Sequence, residues 1–91
     1  MGSATKKVEG GKLLRVDVEA KDSLDSVKIT GDFFLHPEDT IEEMEEALLG
    51  EPVPLEKRKL VDKLNHILDK NEAKLIGIST EHIIDTLEEA L

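Results

Sequence analysis

Three histidines, a run of carboxylates and one glycine-rich turn are the residues of this 91-residue chain whose types and spacing could carry chemistry. Histidine titrates near neutrality without special tuning, so His36, His66 and His82 come first. His66 and His82 fall opposite the apolar stripes of their helical segments, and neither has a second ligand at the i, i+4 spacing of a zinc-binding helix. Both are expected as solvated surface side chains. His36 precedes Pro37 at the start of a helical segment, where a loop or capping role outweighs catalysis. Glu42, Glu43, Glu45 and Glu46 form one turn of a wet helix face, and such runs are ordinarily solvated. Asp22-Ser23-Leu24-Asp25 lacks the glycine and the distal Glu of a calcium loop. Gly10-Gly11-Lys12 suggests phosphate binding only superficially, because a P-loop needs four residues between its glycines and a Ser or Thr after the lysine. No Gly-x-Ser-x-Gly elbow or ordered triad is visible. No catalytic residue and no metal ligand is assigned.

One segment is harder to explain as packing alone. Gly31-Asp32-Phe33-Phe34 sets both aromatic residues of the chain side by side at a strand end. Adjacent side chains on a strand point to opposite faces, so simple alternation sends only one Phe into the core. The other must sit over a bulge, cover a helix end or meet a partner surface; that both anchor the sheet-to-helix crossover stands as an equal alternative to an interface role.

Composition narrows the function classes. The chain has no cysteine, which removes disulfides, thiolate metal sites and a cysteine nucleophile together. A net charge of −9 repels nucleic acid and nucleotide phosphates at long range, and with two Phe and no Trp or Tyr the platforms for base stacking are missing. Nucleic acid is not expected as a partner. No apolar run approaches the roughly 20 residues of a membrane span, and no signal-peptide core precedes the first strand, so no membrane association and a cytoplasmic location are expected. Met1-Gly2 opens as a myristoylation signal would, but Lys6 stands where Ser or Thr is wanted.

The elements that must position these residues follow from periodicity. Leu14, Val16 and Val18 alternate with Arg15, Asp17 and Glu19, the pattern of a half-buried strand. Turn formers fill Ala20 to Ser26, and Val27, Ile29, Gly31 and Phe33 mark a second strand, so the two read as an antiparallel hairpin. Lys6-Lys7-Val8 adds a short edge strand before the Gly10-Gly11 turn, with residues 1–5 as a tail ahead of one domain over 6–91. Ile41, Met44 and Leu48 then recur at helical spacing, with Thr40 and Glu43 spaced as a capping box and Gly50 as the stop. Pro54 suits the first turn of a second helix carrying Leu60, Val61, Leu64, Ile67 and Leu68. Ala73 to Ile78 is a short apolar stretch broken by Gly77, and Ser79 or Thr80 caps a last helix with Ile83, Ile84, Leu87 and Leu91 on one face. The fold class is α+β: a small two-layer domain, an antiparallel sheet of two or three strands followed by three helices packed on one face.

Gly10-Gly11-Lys12-Leu13-Leu14-Arg15-Val16, Val27-Lys28-Ile29-Thr30-Gly31-Asp32-Phe33-Phe34, the helix ending Ala47-Leu48-Leu49-Gly50, and Ile76-Gly77-Ile78-Ser79-Thr80 together resemble the C-terminal accessory domain of lipoate–protein ligases. The resemblance runs from about residue 5 to the end. It implies an ATP-dependent ligase that forms lipoyl-adenylate and passes the lipoyl group to a lysine of an acyl-carrier domain. In that family the catalytic lysine, the nucleotide loops and the lipoate pocket belong to a large domain that nothing in this sequence matches. The resemblance therefore implies the split form, with this chain as the accessory subunit of a heterodimer, inactive alone, and the large catalytic subunit as its partner. ATP, Mg and lipoate are expected on that partner, no cofactor on this chain, and the lipoyl-acceptor protein only indirectly. Gly10, Gly11, Lys12, Gly31, Asp32, Phe33 and Phe34 are the expected partner-interface residues. The competing reading is a non-enzymatic acidic adaptor of unknown partner, and a self-contained small-molecule binder would need a pocket that about 90 residues seldom spare.

Overall fold

A computed structural model describes residues 2–8, 10 and 12–91. Strand β1 (Gly2–Val8), β2 (Lys12–Ala20) and β3 (Leu24–Gly31) form an antiparallel sheet in the order β1-β2-β3. A second, two-stranded ribbon joins β4 (Phe34–His36) to β5 (Lys74–Ile76), and the helices are α1 (Thr40–Leu48), α2 (Lys57–Lys70) and α3 (Thr80–Ala90). The α+β class stands, but the order does not run cleanly from sheet to helices: the apolar stretch at Ala73 to Ile78 forms β5 between α2 and α3, and it pairs with β4 in a second sheet.

Alternation decides which sheet face is buried. Leu14, Val16 and Val18 are buried with Val27 and Ile29 of β3, while Arg15, Glu19, Lys28 and Thr30 face outward. Against the inner face α3 crosses β1 and β2, α1 lies along β3, and α2 rests mainly on α1 and α3. Met44, Leu48, Leu60, Leu64, Ile83, Ile84 and Leu87 fill the space between the layers. Burying one such side chain is worth about 1.5–3 kcal/mol, and truncating fully buried Leu64 to Ala costs about 2–5 kcal/mol.

Several local expectations are corrected. β1 is a full strand from Gly2, paired along its whole length with β2, so residues 2–5 do not hang free as a tail. Gly2 is required there: a Cβ on it would lie 1.8 Å from the Ala90 carbonyl oxygen, where α3 ends against the strand. β3 begins at Leu24 rather than Val27 and stops at Gly31, before the two Phe. α2 starts at Lys57, three residues beyond Pro54, with Glu56 as its N-cap. The Thr40–Glu43 capping box does not form, because Asp39 takes the N-cap position and the Glu43 carboxylate instead reaches Lys70 and Asn71 at the end of α2. At α3 a capping box does form: the Ser79 hydroxyl accepts the His82 N–H, and His82 Nδ1 accepts the Ser79 N–H at 3.0 Å. His82 is thus a half-buried cap, not a free surface side chain. Leu91, expected on the buried face of α3, is exposed beyond its end.

The free edge of β3 is closed by α1 and the loop after it. Leu24 exchanges backbone hydrogen bonds with Glu51 and Gly50, and the Ile29 N–H donates to Glu45 Oε2 at 2.7 Å. A row of unpaired strand amides invites edge-to-edge association, and this carboxylate removes one of them. The acidic face of α1 is therefore not wholly solvated.

Candidate interaction surface

The expected interface residues lie on three adjoining pieces of chain: the β1–β2 turn, the β3–β4 junction and, as the sequence did not reveal, the β4–β5 ribbon. Gly10 occupies the turn with φ +97° and open space around it, and Gly11 lies outside the described residues. Lys12 shares the inward register of Leu14 but sits at the sheet's end, and its aliphatic stem lies against Gly77, where a Cβ would come 2.9 Å from the lysine Cγ. That contact brings the start of β2 to the end of β5.

Asp32 ties the junction to β2. Its Oδ1 accepts the Leu13 N–H at 2.6 Å, and its own N–H donates to the Leu13 carbonyl oxygen at 3.1 Å. Gly31 is needed for that approach, since a Cβ there would stand 2.3 Å from the Leu13 carbonyl oxygen and 2.9 Å from the Phe33 ring. Phe33 is half-buried over Gly31 and packs against the core. Phe34 begins the next strand and is 52% exposed. Neither aromatic is fully buried; Leu35, between Phe34 and His36, is the residue that enters the core.

The ribbon explains this arrangement. Its register is Phe34↔Ile76, Leu35↔Leu75 and His36↔Lys74, so Leu35 and Leu75 point inward and the other four point out. Ile76 is 56% exposed beside Phe34, and the His36 ring stacks on Phe34 with centroids 6.4 Å apart. His36 is thus an exposed strand residue rather than a helix cap. Leu13, 45% exposed, lies on the outer sheet face next to Asp32. Leu13, His36, Lys74 and Ile76, exposed beside these residues, were not among those expected at an interface. Leu13 carried a signal, an apolar residue out of phase with Leu14 and Val16; Ile76 carried none beyond lying in a short apolar stretch.

Elsewhere the surface offers little chemistry. His66 is exposed on α2, and no three of His, Asp and Glu gather among the described residues. A shallow groove beside the ribbon is lined by Ile29, Phe33, Phe34, Leu35 and Ile41 together with the Glu38 carboxylate, and the outer sheet face holds a polar hollow with Arg15, Asp17, Glu19 and Lys28. Arg15 and Asp17 there form a two-bond ion pair, which raises the Arg15 pKa. No helix among the described residues is long and apolar enough to cross a membrane.

Comparison with known proteins defines the class. The family model described as bacterial lipoate protein ligase C-terminus matches residues 3–87, and the chain belongs to that family. Among solved structures it is similar to a chain from an archaeal lipoylation system of Thermoplasma acidophilum, described as a bi-partite lipoate protein ligase and its E2 lipoyl domain. The two are 27% identical with a TM-score of 0.73, and the match covers 93% of this chain and 91% of that one, so they are of nearly equal length. No curated protein matches.

Proposed function

We propose that this chain is the accessory subunit of a two-chain lipoate–protein ligase, which docks on a large catalytic chain and enables ATP-dependent formation of lipoyl-adenylate. The observation that carries this reading is the likeness, over nearly the full length of both chains, to a separate polypeptide of the bi-partite ligase system. The family match to the C-terminal part of lipoate–protein ligases supports the same assignment. ATP, Mg and lipoate bind the large chain, which also presents the activated lipoyl group to its acceptor; the pair works in the cytoplasm as a heterodimer.

The accessory chain acts by preorganisation. Its contacts favour the closed, water-excluding arrangement of the partner's nucleotide and lipoate loops, and a shift of that equilibrium changes the rate without a reacting group from this side. Each 1.4 kcal/mol of differential contact is a factor of ten. The test mixes purified large chain, ATP, Mg and lipoate with and without this chain and follows pyrophosphate release and lipoyl-adenylate. Adenylation should rise at least tenfold when this chain is added; equal rates would sink the proposal.

A further inference from the structure

Exposed large apolar residues are few among the described residues: Leu13, Phe34, Leu49, Ile76 and Leu91. Three of the five belong to one end of the molecule, where Phe34 and Ile76 are cross-strand partners and Leu13 is held by Asp32, two residues before Phe34. The inward pair Leu35 and Leu75 anchors the ribbon, so this apolar face is presented on a fixed base rather than on a loose loop.

The ribbon's four outward side chains, Phe34, His36, Lys74 and Ile76, include no carboxylate. Residues 1–36 carry six basic and six acidic side chains, so the whole net charge of −9 resides in residues 37–91. Yet the outer face of the ribbon carries Lys74 and His36, and Lys12 rises beside Gly77 at its end. Neither lysine pairs with a carboxylate among the described residues; the same holds for Lys7, Lys21, Lys28 and Arg58, and what sets Lys12 and Lys74 apart is their place beside the exposed apolar residues. The one carboxylate built into the junction, Asp32, is spent on the Leu13 N–H. An aromatic and aliphatic centre bordered by Lys12 and Lys74 at the ribbon's far end and by Glu38 on the groove side has the composition of an interface core and its polar border.

We infer that the outer face of the β4–β5 ribbon, centred on Phe34 and Ile76 and bordered by Leu13, Lys12 and Lys74, is the surface that docks the large catalytic chain. It fits a partner surface with an apolar hollow bordered by carboxylates. The inference rests on the accessory-subunit reading above and adds to it the place and chemistry of contact. Phe34 is the anchor, because aromatic side chains at the centre of an interface dominate its affinity. Lys12 and Lys74 steer association, so that binding weakens as salt is added.

The experiment measures the affinity of the full chain for the purified large ligase chain of the same organism by titration calorimetry, at low and high salt. Phe34→Asp and Ile76→Asp should each raise Kd at least tenfold while far-UV circular dichroism and the unfolding temperature stay as in the wild type. Lys12→Glu with Lys74→Glu should weaken binding and flatten its salt dependence. Arg15→Glu with Lys28→Glu, on the outer sheet face, should leave Kd unchanged. If the wild type binds and the ribbon variants bind equally well, contact is elsewhere and this inference falls while the accessory function stands. If the wild type does not bind the large chain at all, the function falls and this surface with it. A chain that sediments alone as a dimer, made monomeric by Phe34→Asp, would give the face to a second copy and overturn the assignment.

Discussion

Asp32 grips the Leu13 peptide on both sides, accepting its N–H at 2.6 Å and donating to its carbonyl oxygen at 3.1 Å. This link extends the β2–β3 ladder past Gly31 and fixes the direction in which Phe33 and Phe34 leave the sheet. Asp32→Ala removes the acceptor but leaves the Leu13 N–H to water, so the cost should fall below the range for a buried hydrogen bond to a charged group, to about 1 kcal/mol. Urea unfolding should show a lower midpoint at unchanged slope, and Asp32→Asn, which keeps an acceptor oxygen, should recover most of it. An alanine variant with the wild-type midpoint would show that the link holds nothing.

Glu45 is the second long-range carboxylate contact. Ile29 is 4% exposed and its N–H has Glu45 as acceptor, so Glu45→Ala leaves a shielded donor unsatisfied at a cost of about 1–3 kcal/mol. Alanine is the better helix former, which works against this loss and makes a net destabilisation the more telling. Hydrogen exchange should show faster exchange at the Ile29 amide specifically. Uniform acceleration across α1 would point to helix fraying instead.

Gly31 tolerates no side chain without movement. Gly31→Ala sets a methyl 2.3 Å from the Leu13 carbonyl oxygen, which is backbone and cannot swing aside. A loss of about 1–3 kcal/mol is expected, as for overpacking, with a lower unfolding temperature. The variant should also weaken the Asp32–Leu13 link, so combining it with Asp32→Ala should cost less than the sum of the two, as residues in contact do.

Acid lability should trace to two carboxylates. Lys63, with Lys59, holds the Glu51 pKa below its ordinary 4.5, and Lys70 with Asn71 holds Glu43 below it as well. A lowered folded-state pKa gives stability that is fully present above the unfolded value and is lost as pH falls through the folded one. Stability should thus be level down to about pH 4.5 and fall below it, measured as urea midpoint against pH. Glu51→Gln and Glu43→Gln should each flatten that fall. At neutral pH Glu51→Gln should lose about 0.5–1 kcal/mol, because solvent screens its lysines even though the carboxylate itself is largely covered. A fall of the same steepness in the double variant would place the acid sensitivity in other groups.

What could be read from the sequence was whatever has a local period. Leu14, Val16 and Val18 announce a two-faced strand, and Met44, Leu48, Leu60, Leu64, Ile67, Ile83, Ile84 and Leu87 sit where their stripes put them. The glycines and Asp32 of the junction were singled out, and steric closeness and a hydrogen bond explain Gly31 and Asp32. The rest lacked a local signal. Three-residue strands are too short to show alternation, and the partners Phe34 and Ile76 are far apart along the chain. The uses of Glu43 and Glu45 depend on which element faces them, as does the use of Gly2, whose reason is the end of α3. His82 looked like a surface residue because a capping box with His at its third position is an uncommon spelling of a common motif.

The β4–β5 ribbon has one more consequence. Its two strands are separated by a segment of roughly forty residues containing α1 and α2, and joining distant segments is an entropic step that only the completed intervening structure rewards. Bringing Phe34 and Ile76 together thus carries a loop-closure cost that packing of the intervening α1 and α2 helps to offset. A partner that recognised this face would bind the folded domain and not the unfolded chain. By linkage, a partner that binds only the folded domain would stabilise it by an amount that grows with the logarithm of partner concentration above Kd, so a destabilised variant should be rescued progressively as partner is added.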